Sequence, residues 1–221
     1  MIRWWKIVGA ILVLYSLVWG LLTPIPNLAI LEQSIRNLFY HVPMWFGMIL
    51  LLLGSMVKAI KYLSKGQMEA DVQSNELAKV GVLFGMMGIF TGMIWAKNTW
   101  GAYWTTDPKL NSAAIGMLMY FAYLVLRSSI DDEEKRARVS AVYNVFCFPV
   151  FVVLIFILPR LTDSLHPGNG GNPGFNSYDL DSKLRLVFYP AVIGWTLLGY
   201  WVANVAIRLR KIEIKKINNE L

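Results

Sequence analysis

The stretch Val139-Ser140-Ala141-Val142-Tyr143-Asn144-Val145-Phe146-Cys147-Phe148-Pro149-Val150-Phe151-Val152-Val153-Leu154-Ile155-Phe156-Ile157-Leu158 contains no Asp, Glu, Lys or Arg. An α-helix rises about 1.5 Å per residue, so about 20 apolar residues cross the roughly 30 Å of hydrocarbon in a bilayer. Lipid offers no hydrogen bonds, so the backbone must satisfy itself within the segment, and helix is the expected form. Strands of a membrane barrel would alternate in polarity, which this run does not. Working outward, comparable runs cover residues 7–22, 43–63, 80–96, 108–126 and 186–207. With 139–158 they make six expected spans. The chain is 56% hydrophobic and 16% charged, against roughly a quarter charged in soluble domains. An all-α integral membrane protein is expected, with residues 1–221 forming one membrane domain.

Lys and Arg collect in cytoplasmic loops of membrane proteins. One set of inter-span segments holds Arg3, Lys6, Lys58, Lys61, Lys65, Lys79, Arg127, Lys135, Arg136, Arg138, Arg208, Arg210, Lys211, Lys215 and Lys216. The opposite set holds only Arg36, Lys97, Lys109, Arg160, Lys183 and Arg185. Both termini are therefore expected to be cytoplasmic. The net charge of +7 is explained by this asymmetry, without nucleic acid. The first run is followed by Thr23-Pro24-Ile25-Pro26 rather than by a small-residue cleavage site, so an uncleaved first span is expected.

Cys147 is the only cysteine. That excludes a C-x-x-C thiol redox motif, a thiolate zinc site and the C-x-x-C-H attachment site of a c-type cytochrome. Pro149 and Pro190 fall inside spans and are expected to bend them. Pro43 and Pro108 suit the first turn of their helices.

Three connections lie on the side opposite the termini. The first, residues 23–42, carries Leu28, Leu31, Ile35 and Leu38 at helical spacing, as for a short amphipathic interfacial helix. The second, residues 97–107, is short and aromatic. The third, residues 160–185, contains Pro167-Gly168-Asn169-Gly170-Gly171-Asn172-Pro173-Gly174, an irregular-loop composition.

The chain has two histidines, His41 and His166, and both fall at this outer face. Imidazole ligates haem iron and transition metals. A lone interfacial histidine is more often a solvated or capping residue, and two on one face shift that balance modestly. The second connection is the more specific signal. Trp95, Trp100, Tyr103 and Trp104 crowd around Gly101, whereas an interfacial aromatic belt would spread over all span ends. Flat aromatic faces beside a small residue can form a platform for a large planar ligand. Asp107, before Pro108, reads as the N-cap of the fourth span.

Trp100-Gly101-Ala102-Tyr103-Trp104-Thr105-Thr106-Asp107-Pro108-Lys109-Leu110 resembles the tryptophan-rich WWD signature of the haem-handling proteins of cytochrome c biogenesis, the CcmC/CcsA/CcmF superfamily, and most of all the CcmC family. Phe39-Tyr40-His41-Val42-Pro43-Met44-Trp45 is similar to that family's first histidine segment, and Ser164-Leu165-His166-Pro167-Gly168 to its second. The resemblance spans most of the chain. It implies a bacterial cytoplasmic (inner) membrane protein that binds haem b, non-covalently and transiently, on its periplasmic side. It implies that His41 and His166 are axial iron ligands. It further implies that Trp95, Trp100, Gly101, Tyr103, Trp104 and Asp107 line the haem surface, that a CcmE-like periplasmic chaperone receives the haem, and that an ATP-binding cassette pair with a small membrane subunit (CcmA, CcmB and CcmD in that family) assists. Thr106 stands where the signature usually has tryptophan, and Tyr103 at another aromatic position.

Outward Lys97, Lys109, Arg160, Lys183 and Arg185 are candidate partners for haem propionates. Presentation of haem, rather than catalysis, is the expected task. One alternative is a b-type cytochrome passing electrons to quinone, which would ordinarily place ligands inside spans. A second is a channel component of the CcsA kind, whose relatives carry further histidines within spans.

Overall fold

The computed structural model describes residues 3–26, 31–166 and 180–218. Six α-helices carry the fold: α1 (Trp4–Leu22), α2 (His41–Lys65), α3 (Met68–Trp100), α4 (Pro108–Ser128), α5 (Glu133–Val152) and α6 (Ser182–Ile217). A 3-10 helix, Glu32–Phe39, leads into α2, and α5 continues through a π turn, Val153–Ile157, into a short 3-10 turn, Leu158–Arg160. Six helical segments are long and apolar enough to cross a membrane. No strand occurs among the described residues.

Several helices run beyond the apolar stretches that reveal them. α3 begins at Met68 and ends at Trp100, so residues 97–100, expected in a loop, continue the helix. The aromatic connection proper is residues 101–107. Gly101 closes α3 in a left-handed conformation (φ +79°), and its N–H donates to the Lys97 carbonyl. Such a φ favours glycine, which has no Cβ to clash. At the other end, residues 68–79 are polar yet helical, and Asp71, Ser74, Asn75 and Glu76 are buried there. Hydropathy detects lipid contact, and these residues face protein instead.

Lipid tails are as apolar as leucine, so helix association in a membrane depends on close packing and on interhelical hydrogen bonds. α2 and α3 show the packing. Four α3 glycines, Gly81, Gly85, Gly88 and Gly92, recur at four- and three-residue steps along one face. Into them fit Leu52, Met48, Trp45 and His41 of α2, in antiparallel order. A Cβ at Gly81 would stand 2.7 Å from Leu52 Cδ2, one at Gly85 2.6 Å from Met48 Sδ, and one at Gly88 3.0 Å from the Trp45 ring. The hydrogen bonds lie nearer the termini. Asn144 Nδ2 donates to Ser55 Oγ (2.7 Å) and Ser74 Oγ (3.0 Å), joining α5 to α2 and α3. Arg127 donates both arms of its guanidinium to Asp71 (2.8 and 2.5 Å), joining α4 to α3.

The opposite end is closed by the 3-10 helix. Ile35 and Phe39 are buried with Leu180, Leu184, Val187 and Phe188 of the α6 region. One face of the segment is thus packed against protein, while Glu32 and Gln33 on it stay exposed. Leu28, part of the expected amphipathic pattern, lies outside the described residues. Arg36 donates to the carbonyls of Gly20 and Thr23 (2.9 Å each), satisfying the end of α1. Pro149 lacks an N–H and crowds the preceding turn. Four residues later the helix widens into the π turn.

Candidate functional site

His41 is the first residue of α2 and lies against α3. Its Nδ1 is 2.9 Å from the Gly88 carbonyl oxygen and 3.2 Å from Thr91 Oγ1. A carbonyl only accepts, so Nδ1 carries the proton and Nε2 is the lone-pair nitrogen of the ring. Trp45, one turn along α2, meets the imidazole edge-on, with centroids 6.1 Å apart.

His166 follows the 3-10 turn after α5, and it too is fixed at Nδ1, which donates to Asp107 Oδ1 (3.1 Å). Asp107 is the N-cap of α4 and accepts from the backbone N–H groups of Lys109 (2.9 Å) and Leu110 (3.3 Å). It also accepts from Ser164 Oγ (2.9 Å) and the Leu165 N–H (2.7 Å). One buried carboxylate thereby anchors the helix start and the histidine segment together. Burial disfavours its charge, but the hydrogen bonds from His166, Leu165 and Ser164 outweigh this and hold the carboxyl well below the usual carboxylate range. Burial pushes the His166 imidazole below its ordinary pKa against the pull of Asp107, so at neutral pH the ring is uncharged. Its tautomer then places the lone pair on Nε2.

The aromatic rings divide into two groups. Trp95 and Trp100 of α3 pack edge to face, with centroids 5.0 Å apart, and both contact His166, at 5.8 and 4.7 Å. Tyr103 and Trp104 stand outside this cluster, 56% and 40% exposed. The Lys97 ammonium lies over the Tyr103 ring at 5.7 Å, and Trp104 Nε1 donates to Asn111 Oδ1 (3.1 Å). Gly101 provides the turn between the groups. Thr106, at the signature's tryptophan position, offers its carbonyl to the Asn111 amide (3.4 Å).

Thr91 and Trp95 are four residues apart on α3, about 6 Å along its axis, so one helix carries the seats of both imidazoles within about a turn. The rings are near enough for charge on one to bear on the other, and Lys109 bears on both. Arg160 lies near Lys109. Among the other outward cations, Lys97 donates to the Gly101 carbonyl and Arg185 Nε to the Leu180 carbonyl. The Pro167–Gly174 stretch lies outside the described residues.

Sequence reading did not find Gly88, Thr91 or Gly92 as neighbours of His41, and it singled out Ser164 and Asp107 without joining either to the His166 ring. Among the described residues no group of three or more His, Cys, Asp or Glu side chains is arranged around a common point for a metal ion. Two imidazole nitrogens instead suit an iron that brings four equatorial nitrogens of its own.

Comparison with known proteins agrees in kind. The model of the family described as Heme exporter protein C, CcmC, matches residues 1–220. The Heme exporter protein C of Bradyrhizobium diazoefficiens is 31% identical over 182 residues, covering 79% of this chain and 66% of that protein. Its counterpart in Paracoccus denitrificans is 28% identical over 139 residues, covering 62% of this chain and 57% of the relative. The chain thus spans under two thirds of either relative's length. A shorter match, 34% identical over 90 residues, joins it to a cytochrome c biogenesis protein CcsA of Synechococcus, covering 41% of this chain and 30% of that one. With a family match over nearly its whole length, this chain belongs to the heme exporter protein C (CcmC) family of cytochrome c biogenesis.

Proposed function

We propose that this protein receives haem at the periplasmic face of the cytoplasmic membrane and presents it to a CcmE-like haem chaperone. His41 and His166 supply the axial nitrogens from opposite sides of the iron. The observation that carries this reading is the shared state of the two rings. Each donates Nδ1–H to a fixed acceptor, Gly88 O or Asp107 Oδ1, so each has its basic nitrogen at Nε2. Such a hydrogen bond fixes the ring's orientation and raises its basicity toward a metal.

Haem is the cargo here, not a resident catalyst. Its macrocycle is apolar and its two propionates are anionic, which suits the boundary between lipid and water. Trp95 and Trp100 give the apolar contact beside His166. Lys109, whose charge bears on both imidazoles, is the cation we assign to a propionate, with Arg160 beside it. Tyr103 and Trp104 are exposed and would face the chaperone. The excess of Lys and Arg around the termini orients the chain with both ends cytoplasmic. Family membership supports, as part of the same proposal, a complex with an ATP-binding cassette pair and a small membrane subunit and a task of transfer without chemistry on the haem.

The test is haem content. The detergent-purified chain should carry haem that pyridine haemochrome analysis identifies as b-type, and His41→Ala or His166→Ala should each deplete it. Full haem content with an unaltered spectrum in both variants would refute the assignment.

A further inference from the structure

The His41 seat is built by two α3 residues that the proposed function does not itself require. A Cβ at Gly92 would stand 2.8 Å from His41 Cε1 and 3.3 Å from Nδ1. The first is closer than real Cβ contacts come, so the imidazole stands this near α3 only because residue 92 has no Cβ. Thr91 Oγ1 donates to the Met87 carbonyl (2.8 Å) or the Gly88 carbonyl (3.1 Å). With its proton so engaged, the hydroxyl turns a lone pair toward His41 Nδ1 at 3.2 Å. The His41 N–H is therefore shared between a backbone carbonyl and a side-chain hydroxyl. Trp45, let in by the missing Cβ of Gly88, packs against the same ring at a steep angle. Asn37 Nδ2 donates to the Thr91 carbonyl (3.3 Å) and ties the 3-10 helix to the same turn.

We infer that Gly92 and Thr91 are positioning residues for His41 as an iron ligand: Gly92 opens the notch that sets where the imidazole stands, and Thr91 Oγ1 helps fix which nitrogen bears the proton. This rests on the reading of His41 as an axial ligand. Neither residue touches the iron. Gly92 acts by sterics, because a Cβ there would push the ring away from α3 and from both acceptors on it. Thr91 acts electronically, because an acceptor at Nδ1–H increases electron donation through Nε2 and stabilises ferric iron.

The test uses the full-length protein, purified and loaded with ferric haem b, with haem titration, electron paramagnetic resonance and reduction potential as readouts. Gly92→Ala should weaken haem binding about 10- to 100-fold, the range for disturbing a ligand's supporting partner. It should also convert the low-spin signal to the form seen in His41→Ala. Alanine is the better helix former, so α3 should persist, and added imidazole should restore the low-spin signal. Thr91→Val should keep a low-spin haem but raise its reduction potential, and Thr91→Ser should return it to the wild-type value. Wild-type affinity and signal in Gly92→Ala would overturn the role of the notch. A potential unmoved in Thr91→Val would overturn that of the hydroxyl. A wild-type signal in His41→Ala would instead remove the ligand assignment on which both depend.

Discussion

The two histidines reach one end of α3 by opposite means. His41 belongs to a packed helix pair: it is the outermost of four α2 side chains seated in the α3 glycine stripe, and its hydrogen-bond acceptors lie on α3 itself. His166 belongs to no helix. Its segment is tied back by one carboxylate, Asp107, through Ser164 Oγ, the Leu165 N–H and the ring's own Nδ1. Moving His41 means unpacking two helices. Moving His166 means releasing the hydrogen bonds to Asp107 and the ring contacts with Trp95 and Trp100, without unpacking a helix pair. Under the proposed function, this asymmetry would give the two histidines different parts: a fixed ligand on rigid helices, and a releasable ligand on a tether.

The largest expected effect on this contrast comes from Asp107→Ala. It removes the α4 cap, worth about 1 kcal/mol, and the hydrogen bonds that tie Ser164, Leu165 and His166 to the α4 start. Haem affinity should fall about 10- to 100-fold, with loss of the His166 ligand but retention of His41, as measured by haem titration and spin state. Equal loss of both ligands would erase the distinction between the two corners. Asp107→Asn keeps a cap and an acceptor oxygen, so a milder loss is expected.

Acid should act next, and on His166 alone of the tethered segment. Its pKa lies below the ordinary 6.5, so protonation competes with iron only after the pH has fallen beneath that value. The unfolded chain takes up its proton first, so this site stabilises the fold less as pH falls through about 6.5. A spectral titration should show the six-coordinate form surviving below pH 6.5. Its loss above that value would contradict the burial argument.

Smaller effects separate the aromatic residues. Trp100→Ala removes the closest ring contact to His166, worth about 0.5–1.5 kcal/mol for such a pair, and should weaken haem binding roughly two- to tenfold in the same titration. Trp104→Phe removes only the bond to Asn111 and should leave the haem spectrum unchanged. If Trp104 meets the chaperone, its larger effect will be on co-purification of that partner.

Much of this was legible in the residues themselves. Six apolar runs correspond to six helices, and Asp107-Pro108 spelled out a helix cap because local chemistry suffices for one. What local chemistry could not supply was the second use of Asp107. Its contact with His166 joins residues 59 positions apart, across two helices whose packing no periodicity encodes. The α3 glycines at 81, 85, 88 and 92 were visible as letters, but their role appears only when α2 lies antiparallel in the groove. The division of the aromatic cluster was equally hidden. It follows from α3 continuing to Trp100, which turns Trp95 and Trp100 inward, while the turn at Gly101 carries Tyr103 and Trp104 outward.

The most direct measurement is electron paramagnetic resonance of the ferric, haem-loaded protein beside its His41→Ala and His166→Ala variants. The account predicts a low-spin signal of two imidazole ligands in the wild type, lost in each single variant. A low-spin signal that survives either substitution unchanged would contradict it.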